Sequence, residues 1–220
     1  MKELLYWAAA HWVEIFGAVT GIIYVFLEIR QNIWLWPVGI VTSAVYIWVF
    51  FHDKLYADTC LQVYYLVISI IGWYWWVKGK PAVGNAQLAE SKGQLAKGEV
   101  EKKEELKVTR IKLKLAFLLT VIWAALYSAM YFVLSRLTDS PVPGFDAFLT
   151  SLSVVATWML ARKIYEHWFL WIIVNATAFG LFIFRGLYPT AILYAVYCIM
   201  SFGGLHEWRK SFISDQEHVQ

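Results

Sequence analysis

Amide, hydroxyl and aromatic side chains recur at helical spacing inside stretches that are otherwise apolar. A set of this kind recognises a ligand rather than making or breaking bonds. Gln62, Tyr65 and Ser69 share one helix face with Asp58 at one end and Gly72 or Trp73 at the other. Trp36, Gly39, Ser43, Tyr46 and Phe50 form a second stripe. Trp168, Trp171, Asn175, Phe179 and Phe182 form a third, and Tyr194, Tyr197, Ser201 and Gly204 a fourth. The amides of Gln62 and Asn175 each donate and accept, so they can read hydroxyls or another amide. Thr20 and Tyr24 add hydroxyls from an earlier segment. Each has a structural role to weigh beside this one: Asn often bonds a neighbouring helix in a membrane, and Thr often bonds its own backbone.

Bond-making chemistry finds no support. His11, His52, His167, His206 and His218 are not paired at metal-ligand spacing, and there is no HExxH, CxxC or glycine-rich phosphate loop. We therefore expect no catalytic residues, no metal, no cofactor and no enzyme. Glu14, about a turn from His11, belongs near one surface, and Glu28 with Arg30 marks the other. Neither is expected deep enough to couple a cation. Cys60 and Cys198 fall in apolar runs and do not match each other, which suits buried thiols rather than a disulfide.

The elements that must carry these residues are membrane helices. The 220-residue chain is 60% hydrophobic and only 16% charged, against about a quarter charged in a soluble domain. Seven apolar runs, near 10–29, 34–51, 55–77, 111–134, 144–161, 167–184 and 188–208, are each about long enough to cross a bilayer core of roughly 30 Å. Many Trp and Tyr rings fall at run ends, where amphipathic aromatics favour the headgroup region. The apolar stretch after Lys2 runs on into the first span, so an uncleaved first helix is expected rather than a signal peptide. A net charge of +3 carries no nucleic-acid message. Its meaning is topological. Arg30, the cluster from Lys78 to Lys114, Arg162 with Lys163, and Arg209 with Lys210 share one side, facing only Lys2, Lys54, Arg136 and Arg185. The positive-inside bias puts the N-terminus outside and the C-terminus in the cytoplasm.

Shifted by 132 residues, the chain lies on itself without a gap. Arg30 falls on Arg162, Trp36 on Trp168, Tyr56 on Tyr188, Tyr65 on Tyr197, Ser69 on Ser201, Gly72 on Gly204 and Trp76 on Trp208. The plan is 3+1+3: a first repeat at 10–78, a polar cytoplasmic loop at 79–110, a linker helix at 111–134, a second repeat at 144–210 and a cytoplasmic tail at 211–220. The extra crossing makes the two three-helix repeats parallel, related by a pseudo-two-fold axis along the membrane normal, with the pathway between them. Gln62 and Tyr194 occupy one repeat position with unlike chemistry, as an asymmetric ligand demands. Pro37 and Pro189 sit in first turns and read as helix starts.

Trp34-Leu35-Trp36-Pro37-Val38-Gly39, Tyr46, Leu55-Tyr56-Ala57-Asp58, Leu61-Gln62-Val63-Tyr64-Tyr65 and Gly72-Trp73-Tyr74-Trp75-Trp76 together resemble the PnuC family of bacterial vitamin transporters, across nearly the whole chain. The resemblance implies uptake of nicotinamide riboside by facilitated diffusion with alternating access through the inner membrane. It also implies trapping by a cytoplasmic nicotinamide riboside kinase, a pathway partner with which nothing in the sequence shows contact. The ligand's flat cationic ring suits aromatic walls. Trp168, Trp36, Tyr46 and Tyr65 are the ring and wall candidates. Gln62, Asn175, Tyr194, Ser43, Thr20 and Phe179 complete the candidate substrate site. A relative carrying thiamine or another vitamin, a non-transporting receptor and an ion-coupled transporter are the alternatives. Membrane lipid is the expected surround, and a homo-oligomer stays open.

Overall fold

Without water in the bilayer core, a spanning chain must satisfy its backbone internally, and the apolar runs do so as helices. The computed structural model describes residues 12–52, 56–79, 106–138 and 140–217. Among these are seven helices long and apolar enough to cross a membrane. They are α1 (Trp12–Ile29), α2 (Leu35–His52), α3 (Tyr56–Lys78), α4 (Leu113–Leu137), α5 (Pro143–Ala161), α6 (His167–Phe184) and α7 (Tyr188–Glu217). The expected spans agree to within a few residues at each end, except that α7 runs on. Pro37 and Pro189 lie in the first turns of α2 and α7.

The sequence repeat reappears in the backbone. Gln31 and Lys163, one repeat apart, both take a left-handed conformation, with φ of 50° and 51°. Around them the same bonds close both links. Asn32 N–H donates to Leu27 O, as Ile164 N–H does to Met159 O, and Leu35 N–H donates to Asn32 O, as His167 N–H does to Ile164 O. Links this short force neighbouring helices into antiparallel contact.

Packing between the halves is reciprocal. α1 rests on α2 and α7, and α3 rests on α2 and α5. Tyr197 of α7 brings its hydroxyl against Gly21 of α1, where a Cβ would collide with it. At the equivalent place Tyr65 of α3 reaches the Ser153 side chain of α5. Where α1 meets α2, four buried tryptophans close the bundle. Trp36 stands edge-on to Trp76 at 5.4 Å and Trp168 edge-on to Trp208 at 6.1 Å. One tryptophan of each pair has a glycine behind it: Trp36 lies over Gly72, and Trp168 over Gly204. α4 packs on α5 and turns Leu113 and Phe117 outward, 87% and 73% exposed, as lipid-facing residues are.

Three features differ from the sequence reading. The polar loop was expected to stay solvated through residue 110, but Leu106 and Val108 are buried, each 4% exposed. Thr109 N–H donates to Lys163 O at 2.9 Å and Tyr165 N–H to Thr109 O at 3.1 Å, so this stretch straps the α5–α6 link. The tail was placed from 211, yet α7 continues because Phe212 packs on Tyr165 at 5.5 Å and Gln31 Nε2 donates to Ser211 Oγ at 2.9 Å. Cys60 is exposed rather than buried, on the face of α3 turned away from the interior, and Cys198 is half-buried. Residues 80–105, with most of the polar loop, and Lys2, His11, Lys54 and His218 lie outside the described residues.

Candidate substrate site

Between the two triples lies a cavity of about 330 Å³, within the roughly 300–1,000 Å³ range of small-molecule sites. All four polar stripes reach it. Eight of the ten candidate residues border it: Thr20 from α1, Ser43 and Tyr46 from α2, Gln62 and Tyr65 from α3, Trp168 and Asn175 from α6, and Tyr194 from α7. The other two do not. Trp36 is fully buried between Gly72 and Trp76, outside the lining, and Phe179 is 37% exposed on the outer side of α6.

Part of the polar lining is held in place by hydrogen bonds. Asn175 Nδ2 donates to Ser201 Oγ at 3.1 Å, and Ser201 Oγ donates to Tyr197 O at 2.8 Å. The interhelical bond and the cavity-facing position therefore coexist, since the Asn175 carbonyl keeps its acceptor capacity. Thr20 Oγ1 donates to Phe16 O at 2.7 Å, the self-bonding expected of Thr in a helix. Tyr46 stacks on Phe50 with ring centroids 5.3 Å apart, and its hydroxyl lies over Gly17. Trp168 Nε1, Trp171 Nε1 and Thr42 Oγ1 are buried at the cavity without a protein partner. Buried donors of this kind are costly unless something accepts from them, so they suit a ligand rich in oxygen acceptors.

The largest departure concerns Glu28. The sequence reading set it at the membrane-surface end of its span with Arg30, and it does lie in the last turn of α1, but its side chain turns inward. In the structure it is 2% exposed, lines the cavity and approaches His167, with Oε1 3.0 Å from Nε2. His167 is fully buried and its Nδ1 lies 2.7 Å from Ile164 O. Trp208 Nε1 donates to Glu28 O at 2.9 Å. Glu28 thus joins α1 to both α6 and α7. A signal was present in the repeat. Glu28 matches Leu160 and His167 matches Leu35, so two ionisable residues stand where the other half has leucines. Both leucines are fully buried in the same apolar cluster.

The comparisons with known proteins decide the family. The family model described as nicotinamide mononucleotide transporter matches residues 11–210. The chain belongs to that family. It is similar to the nicotinamide riboside transporter PnuC of Escherichia coli (strain K12), with 25% identity over 213 residues, 91% of this chain and 86% of the relative. The riboflavin/roseoflavin transporter RibM of Streptomyces davaonensis is also 25% identical, over 90% of this chain and 84% of its own. The crystal structure of the vitamin B3 transporter PnuC aligns with a TM-score of 0.68, 22% identity, 97% of this chain and 87% of that one. This nicotinamide mononucleotide transporter family member therefore shares the fold of PnuC, and the cavity just described lies within the matched region.

Proposed function

We propose that this protein carries nicotinamide riboside across the bacterial inner membrane by facilitated diffusion, the two triples alternately exposing the cavity between them. The observation that carries the reading is the cavity itself, which sets indole and phenol rings beside Gln62, Asn175 and unpartnered indole N–H donors. A pyridinium ring stacks on such faces, and a carboxamide and ribose hydroxyls can pair with those amides and donors. Trp168, Tyr46 and Tyr65 form ring and wall contacts, with Tyr194, Ser43 and Thr20 around them. Trp36, linked to Trp168 through Trp76 and Trp208, stands outside the lining and supports it rather than touching the ligand. The reciprocal packing of α1 on α7 and α3 on α5 supports a pseudo-two-fold axis along the pathway.

The same reading places the N-terminus outside, the C-terminus and the tryptophan-closed end in the cytoplasm, and a riboside kinase downstream that makes net uptake one-way. Glu28 is buried in the last turn of α1, at the end of its span, with its Oε1 engaged by His167. The relative named for riboflavin supports a second reading in which another vitamin is carried. Calorimetry on the purified protein in detergent separates them. Saturable binding of nicotinamide riboside, with riboflavin and thiamine weak or silent, supports the first reading. Binding of riboflavin or thiamine alone replaces the substrate and keeps the fold and mechanism.

A further inference from the structure

From the geometry around Glu28 we infer that this residue sets the charge the cavity accepts, favouring a cationic pyridinium ligand over its uncharged dihydropyridine form. This rests on the riboside reading above and adds a selectivity to it. Glu28 is the charged side chain among the described residues that line the cavity, and no Lys or Arg stands there with it. Arg162 and Lys163 of the α5–α6 link are occupied elsewhere, over the Trp75 ring at 4.1 Å and the Trp76 ring at 4.3 Å.

The hydrogen bonds fix the polarity of the pair. The Ile164 carbonyl can only accept, so His167 Nδ1 carries a hydrogen. Nε2 then either donates to the Glu28 carboxylate as part of an imidazolium, or accepts from the carboxylic acid. Glu28 borders the cavity and His167 stands behind it, outside the lining. In the ionised form the pair is a dipole with its negative end toward the ligand. A cation in the cavity favours that form, and an uncharged ligand of the same shape does not. In a buried site the attraction is far stronger than in water. The repeat-related position, Leu160 with Leu35, offers no such charge, so the selectivity is built into one side of a symmetric frame.

The test measures binding of nicotinamide riboside and of its reduced dihydro form to the purified full-length protein, in wild type and two variants. Glu28→Gln removes the charge and keeps the shape. The double change Glu28→Leu with His167→Leu copies the chain's own apolar pair, and exchanges of this kind usually preserve folding. The expected result is a preference of at least about tenfold for the oxidised riboside in the wild type. In both variants that preference collapses to within about twofold while the dihydro form still binds. Equal affinity for the two forms in the wild type overturns the inference even if neither variant folds. So does a preference that survives in either variant, or a parallel loss of both ligands, which would make Glu28 structural. If the wild type binds neither form, the riboside reading itself fails and takes the inference with it.

Discussion

Glu28 and His167 meet at 3.0 Å across the two halves of the molecule, at the two positions that the repeat-related site fills with Leu160 and Leu35. The backbone around the two sites follows one pattern and the chemistry does not. Two backbone sites of like geometry thus carry unlike side chains, and one of them places a carboxyl at the cavity. Gln62 and Tyr194, also one repeat apart, likewise differ, and both line the cavity.

The paired glycines separate support from contact. A Cβ at Gly72 would run into the Trp36 indole, and one at Gly204 into the Trp168 indole. Gly72→Ala and Gly204→Ala should each cost about 1–3 kcal/mol by overpacking. Thermal unfolding in detergent should fall for both. Only Gly204→Ala should also weaken ligand binding by several-fold, because Trp168 borders the cavity and Trp36 does not. Equal binding losses in the two variants would argue that Trp36 touches the ligand.

Gln62 lines the cavity from α3 without belonging to the Asn175–Ser201 bond network. Gln62→Ala should therefore lower riboside affinity about tenfold with little change in melting temperature. Asn175→Ala should lower both, since it also removes the bond to Ser201, worth about 0.6 kcal/mol on average in membranes. Calorimetry beside thermal unfolding reads the two effects separately.

The strap should be sensitive to its own hydrogen bond. Thr109→Pro deletes the N–H that donates to Lys163 O, a part-buried backbone bond worth about 0.5–1.5 kcal/mol. Proteolysis at the α5–α6 link should become faster in the variant. An unchanged cleavage rate would mean that Leu106 and Val108 hold the strap by packing alone.

Glu166 gives a pH signature at the same link. It accepts from Ile111 N–H at 3.0 Å and faces Arg110 at 3.6 Å. Burial nonetheless pushes its carboxyl above the ordinary range, against smaller opposing effects from the Ile111 and Glu166 amides, Arg110 and His167. An acid with a raised folded-state pKa binds its proton more readily folded than unfolded. Its charge therefore costs stability above that pKa, and the cost is relieved as pH falls through it toward the unfolded value. As pH falls from neutral toward the ordinary carboxylate range, the melting temperature of Glu166→Gln relative to wild type should decline. A constant difference would leave Glu166 without a raised pKa.

Much of this was legible in the sequence, for physical reasons. Bilayer thickness fixes span length, so the seven helices could be read from apolar runs. The 132-residue offset then carried the pairing of Trp36 with Trp168 and of Ser69 with Ser201. Polar residues at helical spacing within those spans marked the cavity walls, because lipid tolerates them poorly. Position along a helix was less informative than contact between helices. Glu28 looks superficial in its own segment, and only the fold brings His167, 139 residues later, against it. Trp36 shares a stripe with Ser43 and Tyr46 but is buried against Gly72 and Trp76 and does not line the space. Leu106 and Val108 looked solvated within a charged run until the α5–α6 link gave them a partner.

In the function proposed above, the riboside passes between the two triples without a driving ion. Purified protein reconstituted in liposomes, with labelled nicotinamide riboside outside and no ion gradient, tests it most directly. The expected result is saturable uptake that stops when inside and outside concentrations are equal, unchanged by an imposed proton or sodium gradient. Uptake no faster than in protein-free liposomes, or accumulation driven by either gradient, would contradict it.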